Sequence, residues 1–123
     1  ITILMKELSS NAIGKKGELI AINYLKENKQ TIIATNFHSY HGEIDIITKN
    51  QNNLIIFIEV KYYNNKWIKA IESITRKKKQ CLILTAKKFM SKYQLDEIFN
   101  YRFDLIIIKE NTINNHIENI IDC

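Results

Sequence analysis

The sequence predicts a single α/β domain whose elements follow the order α-β-β-β-α-β. Two segments carry apolar residues at helical spacing, and three short β-branched runs joined by polar turns lie between them. A further apolar run follows the second helical segment. The stretch from Leu54 to Ile58 is apolar on both faces, so we expect a central strand that helices cover on both sides.

The first helix is expected from about Asn11 to Asn28, because its apolar residues form one stripe that can pack on a sheet. The stripe consists of Ile13, Gly17, Ile20, Ala21, Tyr24 and Leu25. Three strands rich in β-branched and aromatic residues are expected next. They are Thr31 to His38, Gly42 to Lys49 and Leu54 to Tyr63.

The second half of the chain completes the predicted core. Trp67 to Tyr93 carries spaced apolar residues among many lysines, which is typical of one or two amphipathic helices. Arg102 to Ile108 is expected to be a buried strand, on which Arg102 and Asp104 form a structural ion pair. Ile113 to Ile121 predicts a weaker element.

The composition fits one globular domain. A chain of 123 residues should bury about two-thirds of its unfolded surface, which is enough core for an enzyme. Hydrophobic residues at 46% and charged residues at 25% argue against a disordered or fibrous chain. No proline, repeat or Gly/Ser-rich linker marks a boundary, so we expect residues 1–123 to form one domain with residues 1–10 as an N-terminal lead.

The sequence also predicts a cytoplasmic protein with no membrane association. No apolar run approaches the roughly 20 residues of a membrane-spanning helix, and Ile1 to Met5 lacks the features of a signal peptide. Cys81 and Cys123 are too far apart in sequence for metal-ligand spacing and too few for a disulfide framework.

The net charge of +5 suits a polyanionic partner such as nucleic acid, because clustered cations release counterions from phosphates. Isoleucine, lysine and asparagine, whose codons are AT-rich, are all abundant. Genomic composition and nucleic-acid binding therefore explain the positive charge equally well. The positions of the charged residues have to distinguish between the two explanations.

Acidic residues alternate with isoleucines along the second predicted strand. Since successive side chains of a strand point to opposite faces, Glu43 and Asp45 are expected on one face and Ile44 and Ile46 on the other. By the same rule, Glu59 and Lys61, near the end of the third predicted strand, share a face.

A hairpin centred on Asn52 would place Asp45 opposite Glu59 and Glu43 opposite Lys61. Directly opposed carboxylates lie about 5 Å apart at Cβ and repel each other. A hard cation such as Mg²⁺ or Mn²⁺ would offset that repulsion, so we expect Asp45 and Glu59 to bind one of these metals. The metal would activate a water for attack on a phosphodiester.

Two further residues complete this hypothesis. Lys61 would orient the attacking water or stabilise charge in the transition state, and Glu18 would hold a metal-bound water from the edge of helix one. A simpler interpretation stays open, in which Glu43 and Lys61 form a cross-strand ion pair and Glu18 is a solvated helix residue. Glu59 and Lys61 lie at the end of a buried strand, and this position favours a functional role for the two residues over a structural one.

The ordered motifs resemble a known family. GKKGELIAINYL, N-x5-GEIDII, FIEVK, a lysine-bearing helix with Ala86, and RFDLI are similar to the YraN-like family over about Gly14 to Ile121. That family has a restriction-endonuclease-like core, with a mixed sheet flanked by helices, similar to archaeal Holliday junction resolvases. Two positions depart from the family pattern, because His38 and Tyr63 stand where arginines are expected.

The resemblance implies a PD-(D/E)xK nuclease site. By this resemblance Asp45, Glu59 and Lys61 form the site, Glu18 is the helical acid, and Lys78 is the basic residue of the second helical segment. It also implies DNA, including branched DNA, as the substrate. Symmetric cleavage of a junction would favour a homodimer with two-fold symmetry.

Nucleic-acid contacts are expected from part of the basic set. The run from Arg76 to Lys79 fans around about 300° of a helix, so only one or two of its side chains can face DNA. Lys78 is the main expected contact, Arg76 is a further candidate, and the rest of the run is expected to be solvated. Further rim contacts are expected from Lys15, Lys16, Lys66 and Lys69.

Aromatic residues and histidines have two interpretations each. Tyr62, Tyr63 and Trp67 either stack on bases or cover the core, and the core is expected for at least one of them. His38 and His41 lack further zinc-type ligands and are expected to be loop residues.

The sequence leaves three hypotheses. The first is a metal-dependent DNA endonuclease, the second a nucleic-acid-binding module that keeps the nuclease fold without efficient cleavage, and the third an acidic cluster with a purely structural role.

Overall fold

The computed structural model describes residues 12–63 and 67–121. A five-stranded sheet lies between one helix on one face and two helices on the other. The elements are α1 (Ala12–Glu27), β1 (Thr31–Ser39), β2 (Gly42–Lys49), β3 (Leu54–Tyr62), α2 (Trp67–Glu72), α3 (Arg76–Lys92), β4 (Asn100–Lys109) and β5 (Thr112–Ile117).

The sheet is mixed, with strands in the order β1-β2-β3-β4-β5. The first three strands form an antiparallel meander, β3 and β4 run parallel, and β5 pairs antiparallel with β4. Parallel pairing needs a crossover connection, which α2 and α3 provide. The predicted α/β class and element order are confirmed, the lysine-rich segment forms two helices, and the predicted tail element is β5.

Helices cover both faces of β3, as its apolar sequence predicts. Ile56 and Ile58 pack with α1, while Ile55 and Phe57 pack with α3 on the opposite face. The α1 side of the core is built from Ala21, Ile22, Leu25, Ile32, Ile46, Ile56, Ile58, Ile106 and Ile108. Both faces of the first half of β3 are apolar and covered by helices, so this part of the strand is held firmly in the core. The polar residues near its C-terminal end are therefore presented from a well-anchored strand.

Thr75 fixes the start of α3. Its hydroxyl oxygen accepts a hydrogen bond of 3.1 Å from the backbone N–H of Lys78, which satisfies one of the free donors of the first helical turn. This cap places Lys78 in that first turn, next to the end of β3.

We expect the Thr75→Ala substitution to lower the free energy of unfolding by about 1 kcal/mol, because it removes this cap. Thr75→Ser keeps a hydroxyl that can cap and should retain most of the stability. Urea unfolding followed by circular dichroism measures both variants. Equal stability of the alanine and serine variants would contradict the capping role.

Within the described ranges, the helices are too short or too polar to cross a membrane. The predicted N-terminal lead at residues 1–10, Lys66 and Cys123 lie outside the described residues, as does the side chain of Trp67.

Candidate active site

β2 and β3 separate before they end. Their pairing runs from Lys49 with Ile55 to Ile46 with Ile58, which confirms the predicted hairpin centre at Asn52. Beyond that last pair β2 stays with β1, while β3 continues beside β4. Asp45 and Glu59 are the next residues of the two strands, so both acids lie at the opening between them.

The alternation of β2 changes at this opening. Ile46 packs with the α1 side of the core, but Ile44 packs with the α3 side together with Ile47. The prediction that Ile44 and Ile46 share a face is therefore wrong. The change of face occurs at Asp45, which stands opposite Asn36 of β1 (φ 52°) between the Thr35–Ile46 and Phe37–Ile44 pairs.

Asp45 is held against β3 by a backbone group. Its carboxylate oxygen Oδ2 accepts a hydrogen bond of 2.8 Å from the N–H of Val60, which in a continued ladder would oppose Ile44. Burial, and next the negative charge of Glu59, raise the pKa of Asp45 well above its usual value, although the Val60 bond acts in the opposite direction. The charges of Glu18 and Glu43 raise it further. Asp45 therefore lies within a group of acids that repel one another.

Glu59 is buried and shared by two lysines. Its side chain is 7% exposed, and Oε2 lies 3.4 Å from the Nζ of Lys61 and 3.4 Å from the Nζ of Lys78. Lys61 follows on the same strand, whereas Lys78 comes from α3. The predicted neighbourhood of Glu59, Lys61 and Lys78 is thus present, and the two ammonium groups offset the charge of the buried acid.

Glu18 approaches from α1. It is half-buried, and its Oε1 accepts a hydrogen bond of 3.1 Å from the side-chain amide of Asn36. Burial raises the pKa of Glu18, the Asn36 bond opposes that rise, and the charges of Glu43 and Glu59 add to it. The helical acid is therefore close enough to sense the strand acids, as its position at the edge of the apolar stripe predicts.

Glu43 has a different partner from the one predicted. It pairs with His38 across β1 and β2, with 3.2 Å between Nδ1 and Oε2. The expected Glu43–Lys61 ion pair is wrong because β2 has already left β3 at this point. The prediction that His38 and His41 are loop residues is wrong for His38, which lies in β1, and confirmed for His41, which lies in the turn between β1 and β2.

The donor set fits a hard divalent cation. Asp45 and Glu59 offer carboxylate oxygens at the opening, and Mg²⁺ is usually held by one or two carboxylates together with water. Glu18 does not complete a compact trio with them, because the one such group among the described residues lies elsewhere. Its contribution would therefore go through a water.

That other group, which could hold a metal ion, is Asp104, His116 and Glu118. Asp104 is fully buried and already accepts hydrogen bonds from Arg102 Nε at 2.8 Å, Arg102 Nη2 at 2.9 Å and His116 Nε2 at 2.8 Å. The His116 Nδ1 lies 2.8 Å from the Tyr24 hydroxyl. A metal would have to displace Arg102, so we assign this group a structural role.

Sequence reasoning found the Arg102–Asp104 pair but missed the rest of this group. Tyr24 and His116 are 92 positions apart, and the antiparallel return of β5 along β4 brings His116 beside Asp104. A prediction that β5 pairs antiparallel with β4 would have placed His116 near Asp104.

The structure shows the exposure or packing of the other residues predicted to contact nucleic acid. The side chains of Lys15, Lys16, Lys69 and Arg76 are exposed. Tyr62 packs on the α1 side of the core, and Tyr63 packs against the cluster that α2 forms with β4. These two tyrosines therefore cover the core, which was one of the two interpretations.

Comparison with known sequences identifies the family. A model described as "Uncharacterised protein family UPF0102" matches residues 17–108. The chain belongs to family UPF0102. A UPF0102 protein of Legionella pneumophila (strain Corby) is 40% identical over 103 residues, which cover 81% of this chain and 86% of that protein. A UPF0102 protein of Clostridium botulinum (strain Hall) is 39% identical over 105 residues, which cover 85% of each.

The UPF0102 match confirms the family that the ordered motifs resemble, and the mixed sheet is consistent with the restriction-endonuclease-like core that this resemblance implies. At the two positions where the resemblance leads us to expect arginines, the structure places other contacts. His38 pairs with Glu43, and the Tyr63 side chain packs against the cluster that α2 forms with β4.

Proposed function

We propose that this protein is a metal-dependent endonuclease that hydrolyses phosphodiester bonds in DNA. The observation that carries the proposal is the meeting of Asp45, Glu59 and Lys61 where β2 and β3 separate. Acids that repel one another at the end of a buried strand carry an energetic cost, and functional sites commonly bear such a cost.

Asp45 and Glu59 would hold Mg²⁺ or Mn²⁺ at this opening. The bound cation supplies Lewis acidity toward a phosphoryl oxygen and lowers the pKa of a water for in-line attack. The Val60 N–H fixes one oxygen of Asp45, which keeps that carboxylate turned toward β3 and Glu59.

The two lysines would act on the phosphate. Lys61 and Lys78 both contact Glu59 through flexible stems, and their side chains remain about one-third exposed. An ammonium group can leave a carboxylate for a phosphate oxygen without a change in fold, and it then stabilises the charge that develops in the transition state. Glu18 would orient the attacking water from the α1 side.

DNA is the polyanion we favour. Lys15 and Lys16 lie in α1 shortly before Glu18, and Arg76 precedes Lys78 in the first turn of α3, so exposed cations flank the acids from both helices. The resemblance to junction resolvases favours branched DNA and a two-fold homodimer.

A second function has an observation in its favour. Two lysines offset the charge of Glu59, and the raised pKa of Asp45 makes protonation an alternative to a cation for relieving the repulsion between the acids. These features favour a module that binds nucleic acid and does not cleave it. Such a module would bind equally well with and without a divalent metal.

Cleavage assays separate the two functions. Purified protein is incubated with linear, single-stranded and four-way-junction DNA in Mg²⁺, Mn²⁺ or EDTA, beside the Asp45→Ala and Lys61→Ala variants. We expect cleavage that requires the metal and a loss of at least about 100-fold in each variant, the size typical of removing an acid–base or electrostatic group.

Lys88→Ala serves as the matched control, because Lys88 is exposed on α3 outside the predicted contact set. It should cleave at the wild-type rate. Cleavage that persists in EDTA, or that both site variants retain, contradicts the nuclease. Metal-independent binding without cleavage supports the binding module instead.

A further inference from the structure

Asn36 belongs to the N-x5-GEIDII motif, yet the proposed chemistry gives it no role. It lies inside β1 with φ 52°, in the left-handed region that most side chains avoid. Asparagine is among the few types that tolerate this region. A distorted residue inside a regular strand indicates a local requirement that outweighs its cost.

The distortion places the side chain toward α1. The Nδ2 of Asn36 donates to Oε1 of Glu18 at 3.1 Å, which joins β1 to the helical acid. The bond uses Oε1 of the carboxylate, and Oε2 is the oxygen that would act on a water. It also restricts the rotamers of Glu18, whose long side chain would otherwise sample many positions.

The donor is neutral, and this distinguishes Glu18 from Glu59. Two ammonium groups offset the charge of Glu59, whereas the amide that orients Glu18 carries no charge to offset that of the carboxylate. A neutral donor is therefore suited to an acid that has to act on a water beside a cation.

Asp45 stands opposite Asn36, because the two residues lie between the Thr35–Ile46 and Phe37–Ile44 pairs. Asn36 donates to Glu18 of α1, and Asp45 accepts from the N–H of Val60 in β3. The Asn36–Glu18 bond therefore lies next to the strand acid.

We propose that Asn36 is a positioning residue that holds the Glu18 carboxylate in the orientation that the nuclease site requires. This inference rests on the proposed function. A double-mutant cycle tests it with Asn36→Gly, Glu18→Gln and the double variant. Glycine can adopt the left-handed backbone and removes the side chain that carries the amide.

We expect Asn36→Gly to slow Mg²⁺-dependent single-turnover cleavage about tenfold, the size of a lost hydrogen bond to a charged group. In the Glu18→Gln background the same change should have no further effect, within about twofold. The matched control is Asn53→Gly, because Asn53 has the same left-handed backbone (φ 59°) in the β2–β3 turn. It should leave cleavage unchanged.

Nuclear magnetic resonance gives a readout that does not depend on activity. The side-chain amide signal of Asn36 should move in the Glu18→Gln variant and stay in place in Asn53→Gly. An amide signal that Glu18→Gln leaves unmoved, or additive effects of the two substitutions in an active enzyme, would overturn the positioning role. A wild-type protein that neither cleaves DNA nor binds Mn²⁺ by calorimetry would overturn the proposed function, and with it this inference, even where the amide contact is present.

Discussion

The Asp45→Asn substitution is expected to stabilise the metal-free protein and to remove its response to metal. Asparagine keeps an oxygen that can accept the Val60 N–H and removes the charge that Glu59, Glu18 and Glu43 repel. We expect the free energy of unfolding to rise by about 1 kcal/mol near pH 7.5. This is the upper end of the range for the interaction energy of a cross-strand pair of side chains.

The gain should depend on pH in a defined direction. Because the pKa of Asp45 is raised in the folded protein above its ordinary value of 3.8, the folded state binds the proton more tightly than the unfolded chain. The wild-type protein therefore loses stability from this group as the pH rises from about 3.8 through the raised pKa. The advantage of the variant should vanish below about pH 4 and be largest in neutral and alkaline buffer.

Metal should reverse the order of stability. A cation that binds only the folded state at 100 times its dissociation constant adds about 2.7 kcal/mol. We expect Mn²⁺ to stabilise the wild-type protein in this way and to leave Asp45→Asn unchanged, as followed by urea unfolding with and without metal.

Asp96→Asn removes an exposed acid outside the site and is the matched control. It should respond to Mn²⁺ like the wild-type protein. The shared carboxylate site would be contradicted if Asp45→Asn were less stable than the wild type without metal. It would also be contradicted if Mn²⁺ raised the free energy of unfolding of Asp45→Asn as much as that of the wild type.

The Arg102→Met substitution is expected to have the largest effect on stability. Arg102 binds both oxygens of Asp104, which is fully buried, so its removal leaves a buried carboxylate with reduced compensation. Breaking such a pair costs about 3–5 kcal/mol. Urea unfolding at pH 7 measures the loss, and Arg76→Met, at an exposed position of α3, is the control that should lose little.

The pH dependence of this effect is opposite to that of Asp45. Burial alone would raise the pKa of Asp104, but hydrogen bonds from His116, Arg102 and the Asn119 N–H together lower it below 3.8. Its contribution is therefore present above about pH 4 and is lost as the pH falls through the lowered pKa. The difference between wild type and Arg102→Met should shrink in the same range. A difference that persists in acid, or Arg102→Met as stable as the wild type at pH 7, would contradict the structural assignment.

Local sequence patterns predicted much of this fold. The alternating and apolar runs located the strands, and the polar turn centred on Asn52 fixed the β2–β3 register. The pattern failed where β2 leaves β3, because strict alternation assumes a continuous ladder. Ile44 changes face there, and Glu43 pairs with His38 instead of Lys61.

Contacts between distant elements explain the remaining gaps. The Asn36–Glu18 bond depends on how α1 lies over a distorted β1, and the Tyr24–His116 contact depends on the return of β5. Neither contact can be recognised from the pattern of residues within one helix or strand. The acids and lysine at the ends of β2 and β3 could be proposed from sequence because a single hairpin brings them together.

Anomalous diffraction from crystals grown with Mn²⁺ tests the central claim most directly. We predict one strong peak bound by the carboxylates of Asp45 and Glu59 at the opening between β2 and β3. An empty opening, or a peak only among Asp104, His116 and Glu118, would contradict it.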